Sequence, residues 1–187
     1  ETLKWDGDPA IVCGTDPCTG YFFVGTKSVF NKVAPKICVT ESQIDKYYNG
    51  DFNQILKECL KYLPSLGINC ILEGDILFLE STKKLLNNNG QEYITFTPNS
   101  IEYSISVNNE LGKKICNSKL GIVFHTSYSG RTLKTMKPSF NIDIGRLQPT
   151  KDVWFRDASF TDASGTATFT DAETRQITNI LSQAGRT

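Results

Sequence analysis

The chain has 187 residues, 20 basic against 20 acidic, with 39% apolar and 11% aromatic residues. That length and composition suit one globular domain with a substantial core and argue against disorder. A balanced charge excludes a nucleic-acid footprint spread over the whole surface, and the apolar runs are too short to span a membrane.

Taken in chain order, residues 9–14 (PAIVCG) and 21–26 (YFFVGT) are rich in strand formers, with TDPCTG between them, so a hairpin is expected over about 9–27. A short helix is expected at 41–48. A longer one is expected at 51–63, where Phe52, Ile55, Leu56, Cys59, Leu60 and Leu63 fall on one face and Pro64 and Gly67 end it. NCILEGDILFLE (69–80) reads as a strand pair or one long strand bent at Gly74. STKKLL reads as a helical turn or two, and NNNG as a loop. EYITFTP and IEYSISV are two strands, LGIVFHT (120–126) another, and SYSGRTLKTMKPS a loop or short helix. Strands are expected near 153–155 and 166–169. Thr170 followed by Glu173 is a capping box opening a helix with Ile177, Ile180 and Leu181 on one face. Hairpins interspersed with helices point to an α+β domain built on antiparallel sheets. The expected organisation is a single domain over 1–187, with residues 138–187 a candidate C-terminal extension packed on it. The first motif begins three residues in, so upstream sequence is expected to be missing.

Six cysteines carry no C-x-x-C pair and His125 is the only histidine, so clustered zinc ligands are absent from the pattern. Reduced, mostly buried thiols are expected, though an even count leaves disulfides open. Residues 1–112 hold 9 basic and 14 acidic side chains, whereas 113–151 hold 8 basic against Asp143 alone. The second segment is a candidate for phosphate contact.

KWDG, residues 4–7, raises a chemical question. A lysine attacks only when neutral, so it needs a site that lowers its pKa or supplies a base. Lys4 is followed two positions on by the acid Asp6, and Gly7 lets backbone approach a ligand. Asp75, set between apolar neighbours in ILEGDILFL, is a carboxylate on an exposed face or one held for a purpose. His125 reads as a structural histidine continuing a strand, and Trp154 and Phe155 as core.

The order of these motifs resembles the covalent nucleotidyltransferase superfamily of DNA ligases, RNA ligases and mRNA capping enzymes. KWDG matches its first motif. VGTK then offers Lys27 after a hairpin, LEGDILF offers Asp75 with Glu73 as a rival acid, and ITFTPNSIEYSI offers Phe96 or Tyr103 as a base-pocket wall. KLGIVFHT has the glycine and strand of the fourth motif, with Leu120 where the family has an acid. RTLKTMK offers Lys134 and Lys137, one residue too far apart. The resemblance implies an ATP-grasp-like ligase adenylation fold. Lys4 would form a lysyl-nucleotide from ATP, while Asp6, Gly7, Lys27, Asp75, Phe96, Lys134 and Lys137 bind nucleotide and Asp75 and Glu73 help hold Mg2+. DNA or RNA ends are the implied acceptors. The chain is also similar, through KWDG, PAIV, FFVGTKSVFNK, EGDILF, FTPN and GIVFHTSYSG, to proteins of large tailed phages. That implies a viral protein acting in the cytoplasm of an infected host. Alternatives are a catalytically inactive nucleotide- or nucleic-acid-binding phage protein, a metal-dependent nuclease using Asp75, Glu92 and a lysine, and a virion or assembly protein.

Overall fold

A computed structural model describes residues 2–159, 161–162 and 170–184. These fall into two compact units, one drawn from the chain ends (up to Lys4 and from 161 onward) and one spanning Trp5–Ser159. In chain order the elements are β1 (Thr2–Leu3), β2 (Ala10–Thr15), β3 (Phe22–Gly25), α1 (Glu41–Tyr47), α2 (Gly50–Tyr62), β4 (Ile71–Leu79), β5 (Lys84–Asn88), β6 (Gln91–Phe96), β7 (Tyr103–Ser106), α3 (Glu110–Asn117), β8 (Leu120–Ser129), β9 (Lys137–Ser139), β10 (Val153–Asp157), β11 (Thr161–Asp162) and α4 (Asp171–Ala184). The class is α+β with largely antiparallel sheets.

In the Trp5–Ser159 unit, the main sheet runs β10-β8-β4-β2-β3, with β9 also on β8. All its pairs are antiparallel except β10 with β8. A second sheet is β5-β6-β7. On one face of the main sheet, Ile44 of α1 and Leu56 and Cys59 of α2 pack against Ile11, Leu72, Ile76, Ile122 and Phe124. The other face carries two apolar clusters. One joins Leu77, Val123 and Trp154 to Trp5, to Ile94, Phe96 and Tyr103 of the second sheet and to Ile115 of α3. The other joins Val12, Phe23 and Ile71 to Val29 and Leu133. Glu73 and Asp75 lie on this second face, since alternation along β4 places them with Ile71 and Leu77 and opposite Leu72 and Ile76.

The expected hairpin at 9–27 is β2–β3, and both expected helices at 41–63 are present. α2 gives way to a 3-10 turn over Leu63–Leu66 and then to Gly67 in the left-handed region, φ 65°. α1 carries a capping box of Thr40 with Gln43. Residues 71–79 form one strand rather than two. The helical reading of STKKLL is corrected: a 3-10 turn over Glu80–Thr82 leads into β5. The reason is tertiary. β5 and β6 close on Asn89 and Gly90, whose φ values of 51° and 80° suit a tight hairpin, and that pairing overrides the local preference of Lys-Lys-Leu-Leu. α3 was not expected. It is short, and Asn109 caps it by accepting from the Gly112 amide at 2.6 Å. The stretch after residue 138 contributes β10 to the main sheet. The strand expected at 166–169 lies outside the described residues.

In the terminal unit β1 pairs antiparallel with β11. The Thr170 capping box opens α4: Glu173 accepts from the Thr170 amide and hydroxyl, each at 2.8 Å. No helix of the described residues is long and apolar enough to cross a membrane.

Candidate functional site

The middle of the second sheet face is polar, and two chain irregularities make it so. The first is a β-bulge. Glu73 pairs with Thr126 and Gly74 with Phe124, which leaves His125 as an extra residue in β8. An inserted residue breaks alternation, so His125 and Thr126 both serve the Glu73–Asp75 face while Phe124 returns to the opposite core. The second is the crossing of Asp6–Asp8 over β4. The Asp8 amide donates to the Ile76 carbonyl at 3.0 Å and the Ile76 amide to the Pro9 carbonyl at 3.0 Å. A Cβ at Gly7 would stand 2.4 Å from the Ile76 oxygen and 3.2 Å from Asp75 Cβ, so only glycine permits this approach.

Four charged groups meet on this face, Glu73, Asp75, His125 and Lys27, the last from the 3-10 turn that follows β3. Glu73 is 3% exposed. Lys27 Nζ lies 3.2 Å from its Oε1, and Tyr128 donates its hydroxyl to Oε2 at 2.6 Å. Burial, then the bond to Glu73 and its charge, push the Tyr128 phenol well above its ordinary value. Asp75 Oδ1 is 3.3 Å from His125 Nε2, and His125 Nδ1 is 2.8 Å from the Thr126 hydroxyl. The bond to Asp75 raises the His125 pKa, desolvation opposes it, and the charges of Asp75 and Glu73 add to the rise. Thr126 is 3% exposed, so its hydroxyl fixes the ring rather than attacking a ligand. Because a hydroxyl both donates and accepts, the ring keeps both partners in either charge state. Lys27, by contrast, is 71% exposed and its ammonium is reachable.

Other predicted residues fall as follows. The Asp6 backbone is clamped by the Tyr103 hydroxyl, which accepts from its amide at 2.8 Å and donates to its carbonyl at 3.0 Å, while Asn99 donates to its carboxylate at 3.1 Å. Trp5 stacks on Tyr103, ring centres 4.9 Å apart. Phe96 is buried in the core between Phe78 and Tyr103. Lys134, in a 3-10 turn, and Lys137, on β9, are both exposed. Lys4 is exposed and belongs to the terminal unit. Leu120 is fully buried in the core. Glu92 stands on β6 of the second sheet.

Of the predicted residues, the structure sets Gly7 against Asp75 and pairs Lys27 with Glu73, while the Asp6 carboxylate is engaged by Asn99; the partners His125 and Tyr128 were missed. The available signal was the abrupt change from Gly-Ile-Val-Phe to His-Thr-Ser inside one strand. Among the described residues, no group of three His, Cys, Asp or Glu side chains is arranged to hold a metal ion. Both Glu73 oxygens and one of Asp75 already have partners, so this pair does not fit a resident magnesium ion. Of the cysteines, Cys13, Cys38 and Cys59 are buried, Cys18 and Cys70 exposed, and all six are free thiols.

Comparison with known families matches residues 1–187 to one described as "Family of unknown function (DUF6267)". No curated relative and no solved structure matches. The chain belongs to this family of unknown function, DUF6267.

Proposed function

We propose that the chain is a nucleotide-binding domain of the covalent nucleotidyltransferase type, with ATP as its nucleotide and Lys4 as its nucleophile. The observation that carries this reading is the approach of three separated motifs to one sheet face: Gly7 of KWDG against Asp75 on β4, and Lys27 after the hairpin on the neighbouring Glu73. Residues 6 to 75 have no local reason to meet. Lys27 would neutralise phosphate charge, and Asp6, pinned by Tyr103 and Asn99, would hold the ribose. Deprotonated Lys4 Nζ would form a bond to the α-phosphorus as the bond to pyrophosphate breaks, leaving a lysyl-phosphoramidate. Such chemistry depends on positioning and charge more than on covalent assistance. DNA or RNA ends would be the acceptors.

The test is intact mass after incubation with ATP or GTP and magnesium. A gain of one nucleoside monophosphate, absent in Lys4→Ala and reduced in Lys27→Ala, is expected. No adduct on a folded protein with either triphosphate sinks the transfer reading.

A second reading, nucleotide binding without transfer, is favoured by one observation. Leu120, at the place of the family's fourth-motif acid, is buried in the core and offers no carboxylate. Calorimetric ATP binding without any mass adduct would select it.

A further inference from the structure

The two edges of the main sheet are unlike. At β3, Val24 bonds to Cys38 in both directions, at 2.9 and 3.1 Å, so the next chain segment covers that edge. At the other edge, β10 lines a groove of about 570 Å3. Its two walls come from opposite faces of the sheet. Ile144 and Leu147 pack with Val153 and Phe155 on the α1–α2 face. Lys114, Asn117 and Ser118 belong to α3 and its C-terminal end, the helix whose Ile115 packs with Trp154 on the other face. The sheet edge is therefore the floor of a slot.

The ladder states which backbone groups the floor presents. The Asp152 carbonyl accepts from the Leu120 amide at 3.1 Å, and the Ala158 amide donates to the Phe124 carbonyl at 2.8 Å, so even-numbered residues face β8. By alternation Val153, Phe155 and Asp157 turn their amides and carbonyls outward. The Thr150 hydroxyl accepts from the Val153 amide at 3.1 Å. Among the described residues, no bond fills the outward positions of Phe155. Three cations line the slot, Lys114, Lys151 and Arg156, and no acid does. Lys114 is tied to Glu110 at 2.6 Å, whereas Lys151 and Arg156 have no ion pair among the described residues.

We infer that this slot receives an acidic, extended segment of a partner protein, added as a further strand on β10. An exposed edge with outward amides pairs readily with an incoming strand, and flanking walls select its alternate side chains. The cations set the sign of the partner. A single nucleic-acid strand is the less suitable occupant, because it needs exposed aromatic faces for stacking. Here Trp154 is 6% exposed and Phe155 is packed partly into the core.

The test uses the full chain and fluorescence anisotropy with a labelled peptide of alternating Glu and Val. Saturable binding is expected. It should weaken about tenfold or more in Lys151→Glu/Arg156→Glu, whose exposed positions leave folding intact. A peptide of the same charge with Pro replacing Val should fail to bind, since Pro cannot complete a ladder. Equal binding of the two peptides overturns the inference, as does tighter binding of oligo-dT than of the Glu–Val peptide, or no peptide binding at all.

Discussion

His125 Nε2 stands 3.3 Å from Asp75 Oδ1, across a bulge that gives β8 one residue more than β4. The pair links stability to pH. Asp75 raises the histidine pKa above its ordinary 6.5, so the folded chain holds the proton more tightly than the unfolded chain does. The contribution is complete below the unfolded value and disappears as pH rises through the folded one. His125→Gln should therefore cost more stability at about pH 5.5 than at about pH 8.5, with a difference of about 1 kcal/mol or less for a partly exposed pair. Urea unfolding of both proteins at the two pH values measures it. Equal losses would mean that the imidazolium is not what Asp75 stabilises.

Glu73 is a buried carboxylate with two donors, and the phenol of Tyr128 is one of them. Tyr128→Phe removes that donor while keeping the ring that packs on Phe30, centres 4.4 Å apart. One carboxylate oxygen is then buried without a partner, which costs about 1–3 kcal/mol. Tyr128→Phe combined with Glu73→Gln should recover part of this loss, because the uncompensated charge has gone. Thermal or urea melts of the two variants test the order: a double variant less stable than Tyr128→Phe alone would contradict it.

What could be read from the residues, and what could not, follows the range of the forces involved. β2–β3, α2 and the Thr170 cap were legible because their signals are local: turn residues between apolar runs, a face of Phe52, Ile55, Leu56 and Cys59, and a Thr–Glu spacing. β5 was not legible, because Leu85 and Leu86 become strand only through pairing with Ile94 and Tyr93. α3 has eight residues and a single fully buried apolar side chain, Ile115, too little periodicity to register. In the site, Lys27, Glu73 and Asp75 were legible as residue types in sequence order. The place of His125 was not, since it depends on a bulge fixed by pairing between strands some fifty residues apart.

Gly7 is the contact point between the KWDG segment and β4. A methyl group there would lie 2.4 Å from the Ile76 carbonyl oxygen, which is fixed backbone bonded to the Asp8 amide. Gly7→Ala must therefore displace residues 6–8 from the strand, at about 1–3 kcal/mol. The same shift would loosen the Tyr103–Asp6 clamp. Tyr103 is pushed upward in pKa chiefly by burial, and its release into solvent should bring its titration back toward that of free tyrosine. A spectrophotometric phenol titration, read beside a melt, checks both effects. An unchanged melt and titration would show that the crossing tolerates a side chain.

Lys83 acts on α3 from outside the helix. Its ammonium donates to the carbonyls of Ile115 and Cys116 at 2.9 Å each and of Ser118 at 2.6 Å, and it lies 5.3 Å from the centre of the Phe78 ring. These carbonyls close a helix that carries the negative end of its dipole there, so a cation supplies both donors and charge. Partial burial lowers the lysine pKa, yet three acceptors keep a protonated donor in demand. Lys83→Met keeps the apolar stem over Phe78 and deletes the donors, and should cost about 1–2 kcal/mol. Hydrogen exchange should rise first at the amides of α3, including Ser118, before the core strands change. Lys83→Arg, which restores charge with a bulkier head, should recover part of the loss. If Lys83→Met melts like the unaltered chain and α3 exchanges no faster, the helix is held by Ile115 and its Asn109 cap alone.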